Sequence, residues 1–147
     1  MLCDAVLNMT RERYAGESSF DFQIGGYLGS SHKVVYVGEE KLEYSYAEDR
    51  YEWGVPVALY PSQDQWDQFW RDLDATGVWH WEEYYRPAAG VCDGTYWSLE
   101  LYHSGKSLNS EGSNAYPGGA DEHDAPKGEF LRFLKAVQAL TGIKELQ

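Results

Sequence analysis

Four aromatic rings and a histidine crowd the eight residues Val78-Trp79-His80-Trp81-Glu82-Glu83-Tyr84-Tyr85. In an extended chain, neighbouring side chains point to opposite faces. Trp79, Trp81, Glu83 and Tyr85 would then share one face, and Val78, His80, Glu82 and Tyr84 the other. One face can pack under a helix, but both cannot. That leaves a set of rings able to stack on a sugar, a base or a peptide, or to mark a protein interface. Trp79, Trp81 and Tyr85 are the candidates.

A second candidate is the loop Glu111-Gly112-Ser113-Asn114-Ala115-Tyr116-Pro117-Gly118-Gly119. It opens a longer stretch, to Lys127, without a helix or strand pattern, and such long loops are often functional. Glycine backbone N–H groups, the Ser113 hydroxyl, the Asn114 amide and the Tyr116 ring could meet a polar ligand or a peptide. The spacing matches neither a phosphate-binding loop nor a dinucleotide fingerprint. The plainer reading is a turn in which Gly supplies positive φ and Asn bonds its own backbone.

Other reactive residue types lack the company that chemistry needs. Asp93-Gly94 ahead of Trp97 is a hairpin-turn signal. Asp121-Glu122-His123-Asp124 lacks the ligand order of a calcium loop and reads as a solvated charge cluster. Cys3 and Cys92 are the only cysteines, too few for a disulfide framework or a zinc site. No nucleophile elbow or zinc-binding His-Glu-x-x-His is present. The sequence therefore assigns no catalytic residue, no metal ligand and no cofactor.

The elements that would carry these residues are readable. Phe20, Phe22 and Ile24 alternate with Asp21 and Gln23, the period of a half-buried strand. Lys33 to Val37 and Leu42 to Tyr46 continue it as an antiparallel meander. Val55 to Tyr60 is a short strand that Pro56 confines to an edge. Ser62 caps a helix whose Trp66, Phe69, Trp70 and Leu73 form one apolar stripe, ended by Thr76-Gly77. Val78 to Tyr85 is predicted as a strand, Tyr96 to His103 as another, and Ser107 to Glu111 as its return arm. A last helix starts near Gly128, with Phe130, Phe133, Leu134, Val137 and Leu140 on one face, and stops at Thr141-Gly142. Residues 1–19 are either a short helix or an opening strand.

Two apolar helical stripes and alternating strands predict one α+β domain: an antiparallel sheet of about six strands with two amphipathic helices packed on it. Each half ends in Tyr-Pro, an aromatic helix and Thr-Gly. Half-repeats 19–77 and 78–143 of a duplicated β-β-β-α unit fit that order, though Pro before a helix and Gly after it are also general punctuation.

The chain's 147 residues suit a single domain. Twenty-four acidic against twelve basic residues give a net charge of −12. That field disfavours nucleic acid and anionic membranes and favours a basic protein partner. The first residues lack a basic region ahead of their apolar run, and nothing approaches a spanning segment. A cytoplasmic protein is expected.

The Tyr60-Pro61-Ser62 helix start with Trp66 and Phe69, Trp79-His80-Trp81, Asp93-Gly94-x-x-Trp97 and the Gly112-to-Pro117 loop together resemble a small bacterial protein family of unknown role. The resemblance covers residues 58–143 and implies no activity. The expected function is an acidic binding protein acting through a protein–protein interface, as an inhibitor, immunity-type partner or adaptor. The alternative is a small-ligand domain with an aromatic pocket closed by the 112–119 loop. An unrecognised enzyme ranks third.

Overall fold

The computed structural model describes residues 18–26, 30–48, 52–86, 95–113, 115–117 and 128–144. Seven strands form one sheet: β1 (Ser19–Gly26), β2 (Ser31–Gly38), β3 (Lys41–Ala47), β4 (Val57–Leu59), β5 (Tyr84–Tyr85), β6 (Thr95–His103) and β7 (Lys106–Ser113). Two helices, α1 (Gln63–Thr76) and α2 (Gly128–Thr141), complete an α+β fold. The spatial order is β4-β3-β2-β1-β6-β7-β5. Every pairing is antiparallel except that of β5 with β7.

Period-2 alternation decides what the helices cover. Phe20, Phe22 and Ile24 lie directly beside Leu101, Leu99 and Trp97 across β1 and β6. Val34, Leu42 and Leu108 extend this apolar face, and all are buried. Phe69 of α1 meets Phe20 at 5.3 Å between ring centroids, and Phe133 of α2 meets Phe22 at 5.0 Å. Both helices thus lie on one side of the sheet, against each other. Tilted and edge-on rings such as these add about 0.5–1.5 kcal/mol per pair beyond area burial.

The helix starts where the sequence predicts. The Ser62 hydroxyl accepts the Gln65 backbone N–H at 3.1 Å, and the Gln65 side chain accepts that of Ser62 at 2.8 Å, a reciprocal cap. Gly77 ends α1 with φ of +78°, in the left-handed region that glycine adopts without strain.

The expected Val78–Tyr85 strand is corrected. Residues Val78–His80 form a 3-10 turn, in which Trp81 N–H donates to the Val78 carbonyl at 3.1 Å. Three-residue spacing sends Val78 and Trp81 together into the core and turns His80 out to solvent. An extended chain would have put those two apolar side chains on opposite faces. Only Tyr84–Tyr85 of that segment pairs as strand, and the sheet has seven strands where about six were expected. The two halves share a hairpin followed by a helix (β1-β2 and α1; β6-β7 and α2). Their outer strands differ: β3 follows its hairpin in sequence, whereas β5 precedes its own and runs parallel to β7.

After β7 the chain folds back onto the core. The Trp97 indole N–H donates to the Ala115 carbonyl at 2.9 Å. Gly112 lies directly opposite Trp97. A Cβ there would fall 2.5 Å from the indole nitrogen and 2.6 Å from the Ala115 oxygen, so only glycine fits. Gly112→Ala is expected to destabilise the fold by about 1–3 kcal/mol through overpacking. Urea unfolding would show it as a lower midpoint at unchanged slope.

Candidate functional site

The alternation that packs rings under the helices sends polar residues to the other face, where no helix lies among the described residues. Register then lines them up. Asp21 sits directly beside Glu100 and Gln23 beside Ser98 across β1 and β6; Glu100 sits beside Asn109 and Ser98 beside Glu111 across β6 and β7. At the sheet edge, the Glu111 N–H donates to the Glu83 carbonyl at 2.9 Å, and the Ser110 hydroxyl donates to the Glu82 carbonyl at 2.5 Å. These bonds hold β5 against β7 and bring Glu83 and Tyr84 alongside. Together the six sheet residues, Glu83, Tyr84, Leu99 and Ser110 line a concavity of about 340 Å³.

Its electrostatics are lopsided. Like charges directly opposite in a sheet are destabilising, by up to about 1 kcal/mol, and Asp21 and Glu100 are such a pair. The Asp21 carboxyl is held above its ordinary range, first by burial and then by Glu100, with Lys33 pulling the other way. Four carboxylates line the hollow. Two cations stand near them. Lys33, paired with Gln23, rests its ammonium 4.5 Å over the Trp53 ring. The Arg86 guanidinium lies 3.5 Å from Glu111 Oε1 and 5.6 Å from the centre of the Tyr84 ring. Both members of the Arg86–Glu111 pair are largely exposed, so it is weak and readily displaced.

Such an array can hold a cationic group. Paired carboxyl groups are also used in acid–base chemistry, but that chemistry favours enclosure, and this hollow lies on a sheet face that no helix covers among the described residues. Among the described residues no group of three or more His, Cys, Asp or Glu side chains is placed to hold a metal ion.

The ring candidates of the sequence are not brought together as a platform. Trp81 is buried against Trp97, Phe130 and Phe133, its indole N–H without a partner among the described residues. Tyr116 is buried on Phe130 at 4.8 Å, and burial raises its hydroxyl pKa against a smaller opposing hydrogen bond with Thr95. Tyr85 is half-buried beside Trp97, its oxygen accepting the Glu82 N–H at 2.8 Å. Trp79 is half-buried and donates to Asp74 Oδ1 at 2.8 Å, under the Lys106 ammonium. Ser113 ends β7 beside Tyr96. Asn114 lies outside the described residues, as do Cys3, Cys92, Asp93, Gly94 and the 121–124 cluster. The exposed ring of the aromatic segment is Tyr84.

One grouping unites residues that the sequence holds far apart. The Ser18 hydroxyl and His103 Nδ1 are 2.6 Å apart, and the imidazole lies flat on Trp70 with centroids 3.9 Å apart and planes 1° from parallel. Burial lowers the His103 pKa, Asp74 raises it by a smaller amount, and Lys106 lowers it again. Ser, His and Asp meet here, but Asp74 Oδ1 is engaged by Trp79 and by Lys106 at 3.4 Å. The grouping clamps α1 to the β6–β7 hairpin.

The acids of the concavity are single residues on three strands and on the segment just before β5, and the sequence signal of the three on strands is only that outward positions carry Asp or Glu. The Asp21–Glu100 opposition has a measurable cost. Because the folded-state pKa of Asp21 is raised, its charge destabilises the fold above that pKa, and the penalty fades as the pH falls through it. Asp21→Asn is expected to stabilise the protein by up to about 1 kcal/mol at neutral pH. The gain should vanish below the ordinary aspartate range. Chemical denaturation at both pH values checks this.

No model of a known protein family matches the chain, and no curated protein shows significant similarity to it.

Proposed function

We propose that this protein is a binding module whose sheet face opposite the helices accepts a basic segment of a partner protein, with arginine as the preferred side chain. An inhibitor, an immunity-type partner or an adaptor would use such a surface, and the cytoplasm is the compartment the proposal assumes. No described helix is long and apolar enough to cross a membrane.

The observation that carries the reading is Asp21 opposed directly to Glu100 inside a concavity. A sequence that places like charges in register departs from what stability alone would choose, and such departures gather at functional sites. A cation bound between them relieves the repulsion. Arg86 supports the choice of arginine. Its guanidinium already lies over the Tyr84 ring with a carboxylate beside it, the two contacts that suit a planar, weakly hydrated cation better than an ammonium. The net charge of −12 adds long-range attraction for a basic partner. The ring contacts between sheet and helices lend no separate support to a small-molecule pocket.

Titration with octa-arginine and octa-lysine peptides tests this. Arginine peptide should bind more tightly, and salt should weaken it. Glu100→Gln with Glu111→Gln should reduce affinity at least tenfold, since each lost charge contact is worth about 1 kcal/mol or more. Removing two carboxylates from the exposed face of α1, Asp64→Asn with Asp67→Asn, should change it little. Arg86→Gln should tighten binding severalfold by vacating the Tyr84 ring. Equal losses from the two double variants would reduce the effect to net charge and overturn the proposal.

A further inference from the structure

Exposed apolar side chains are not scattered over this molecule. Among the described residues the large exposed ones are Val37, Tyr46, Val55, Val57, Tyr60 and Tyr84. Four of the six gather at one sheet edge: Tyr46 at 43% exposure, Val55 at 88%, Val57 at 56% and Tyr60 at 73%. That edge is β4, whose only strand neighbour among the described residues is β3. Every second N–H and C=O of an edge strand points away from the sheet.

Proteins usually guard such edges with lysine, an inward charge or a bulge. Here residues 53–63 carry no charge at all, in a chain with 24 acidic and 12 basic residues. Proline at position 56, just ahead of the strand, removes one donor. The three-residue length of β4 is the other restraint.

We infer that β4 is a self-association edge, at which two copies of this chain pair strand to strand, antiparallel, about a two-fold axis normal to the sheet. An antiparallel pair about that axis is self-complementary by construction. With Ala58 on the axis, Val57 faces the second copy's Leu59, and the small Ala58 side chains allow close approach. The charge distribution favours a second copy. At −12 each, two molecules repel over most of their surfaces, and the uncharged strip is where they can touch without opposing carboxylates. A three-residue strand and four partly exposed side chains fall short of the ~800 Å² per partner of a standard stable interface, so the dimer is weak and concentration-dependent. The product is a continuous sheet with both helix layers on one side. Both acidic concavities then open on the other side, ready to engage one partner at two points.

Salt separates this contact from binding at the concavity. Screening weakens attraction between the acidic hollow and a basic peptide, but it also relieves repulsion between two acidic copies, so added salt should strengthen the dimer. Sedimentation equilibrium of the full chain over a wide concentration range, at low and high salt, should show a monomer–dimer equilibrium that shifts toward dimer as salt rises. Val57→Asp should raise its dissociation constant at least tenfold, because it buries an unpaired charge at the contact. Val37→Asp, exposed at the end of β2, should not. Should Val57→Asp disturb folding, Val55→Asp reads the same outcome from outside the strand. A monomer at every concentration and salt level would overturn the inference. So would a dimer indifferent to substitution at positions 55 and 57.

Discussion

The antiparallel pairing of β1 with β6 joins two hairpins into one sheet, and both the core and the acidic concavity depend on it. It spans Ser19 to Gly26 on one strand and Thr95 to Tyr102 on the other. In that register Phe20, Phe22 and Ile24 stand beside Leu101, Leu99 and Trp97 on one face, forming the floor on which both helices rest. The same register stands Asp21 beside Glu100 on the opposite face. A slip of one residue would exchange the faces, putting rings in water and carboxylates under the helices. The burial of six large apolar side chains therefore enforces a repulsive pair that nothing local favours.

A single layer of helices on a single sheet leaves one face of that sheet without helical cover among the described residues. The apolar face is filled with rings: Phe130 alone contacts Phe22, Trp81, Trp97, Tyr116 and Phe133. This filling explains why a chain rich in aromatics offers so few of them for recognition. The surplus of tryptophan is spent on clamps, such as Trp79 on Asp74, Trp97 on Ala115 and Trp66 on the Glu40 carbonyl at 3.1 Å. In the proposed reading, recognition falls instead to the polar face and to the apolar edge at β4.

The sequence made the helices and most strands legible because their signals are local. Ser62, Gly77, and the Phe130–Phe133 stripe each declare themselves within one or two helical turns. The segment from Val78 to Tyr85 misled because alternating aromatics satisfy two periods at once. Val78 and Trp81 fit a three-residue spacing as well as their neighbours fit a two-residue one, and tertiary burial chose the former. The concavity was hardly legible. Its carboxylates, Asp21, Glu83, Glu100 and Glu111, stand on four separate segments, and nothing near any one of them hints at the others. The rings that drew attention, Trp81 and Tyr116, are core residues, because a packed interior attracts aromatics as strongly as a binding surface does.

By itself, then, the amino-acid order determined both helices and most of the extended segments, which side chains on each would seek the interior, and the strongly acidic balance of the whole. Those properties arise from interactions between residues a few positions apart, or from simple addition of charges. Tertiary structure alone decided which strands became neighbours and in what register. It thereby brought Asp21 to Glu100, Ser18 to His103 across 85 positions, and the uncharged strip around Ala58 to the edge of the sheet among the described residues. Strand pairing is a property of the whole chain: many registers satisfy local hydrophobic alternation, and the two helical stripes, packed together over one floor, select among them.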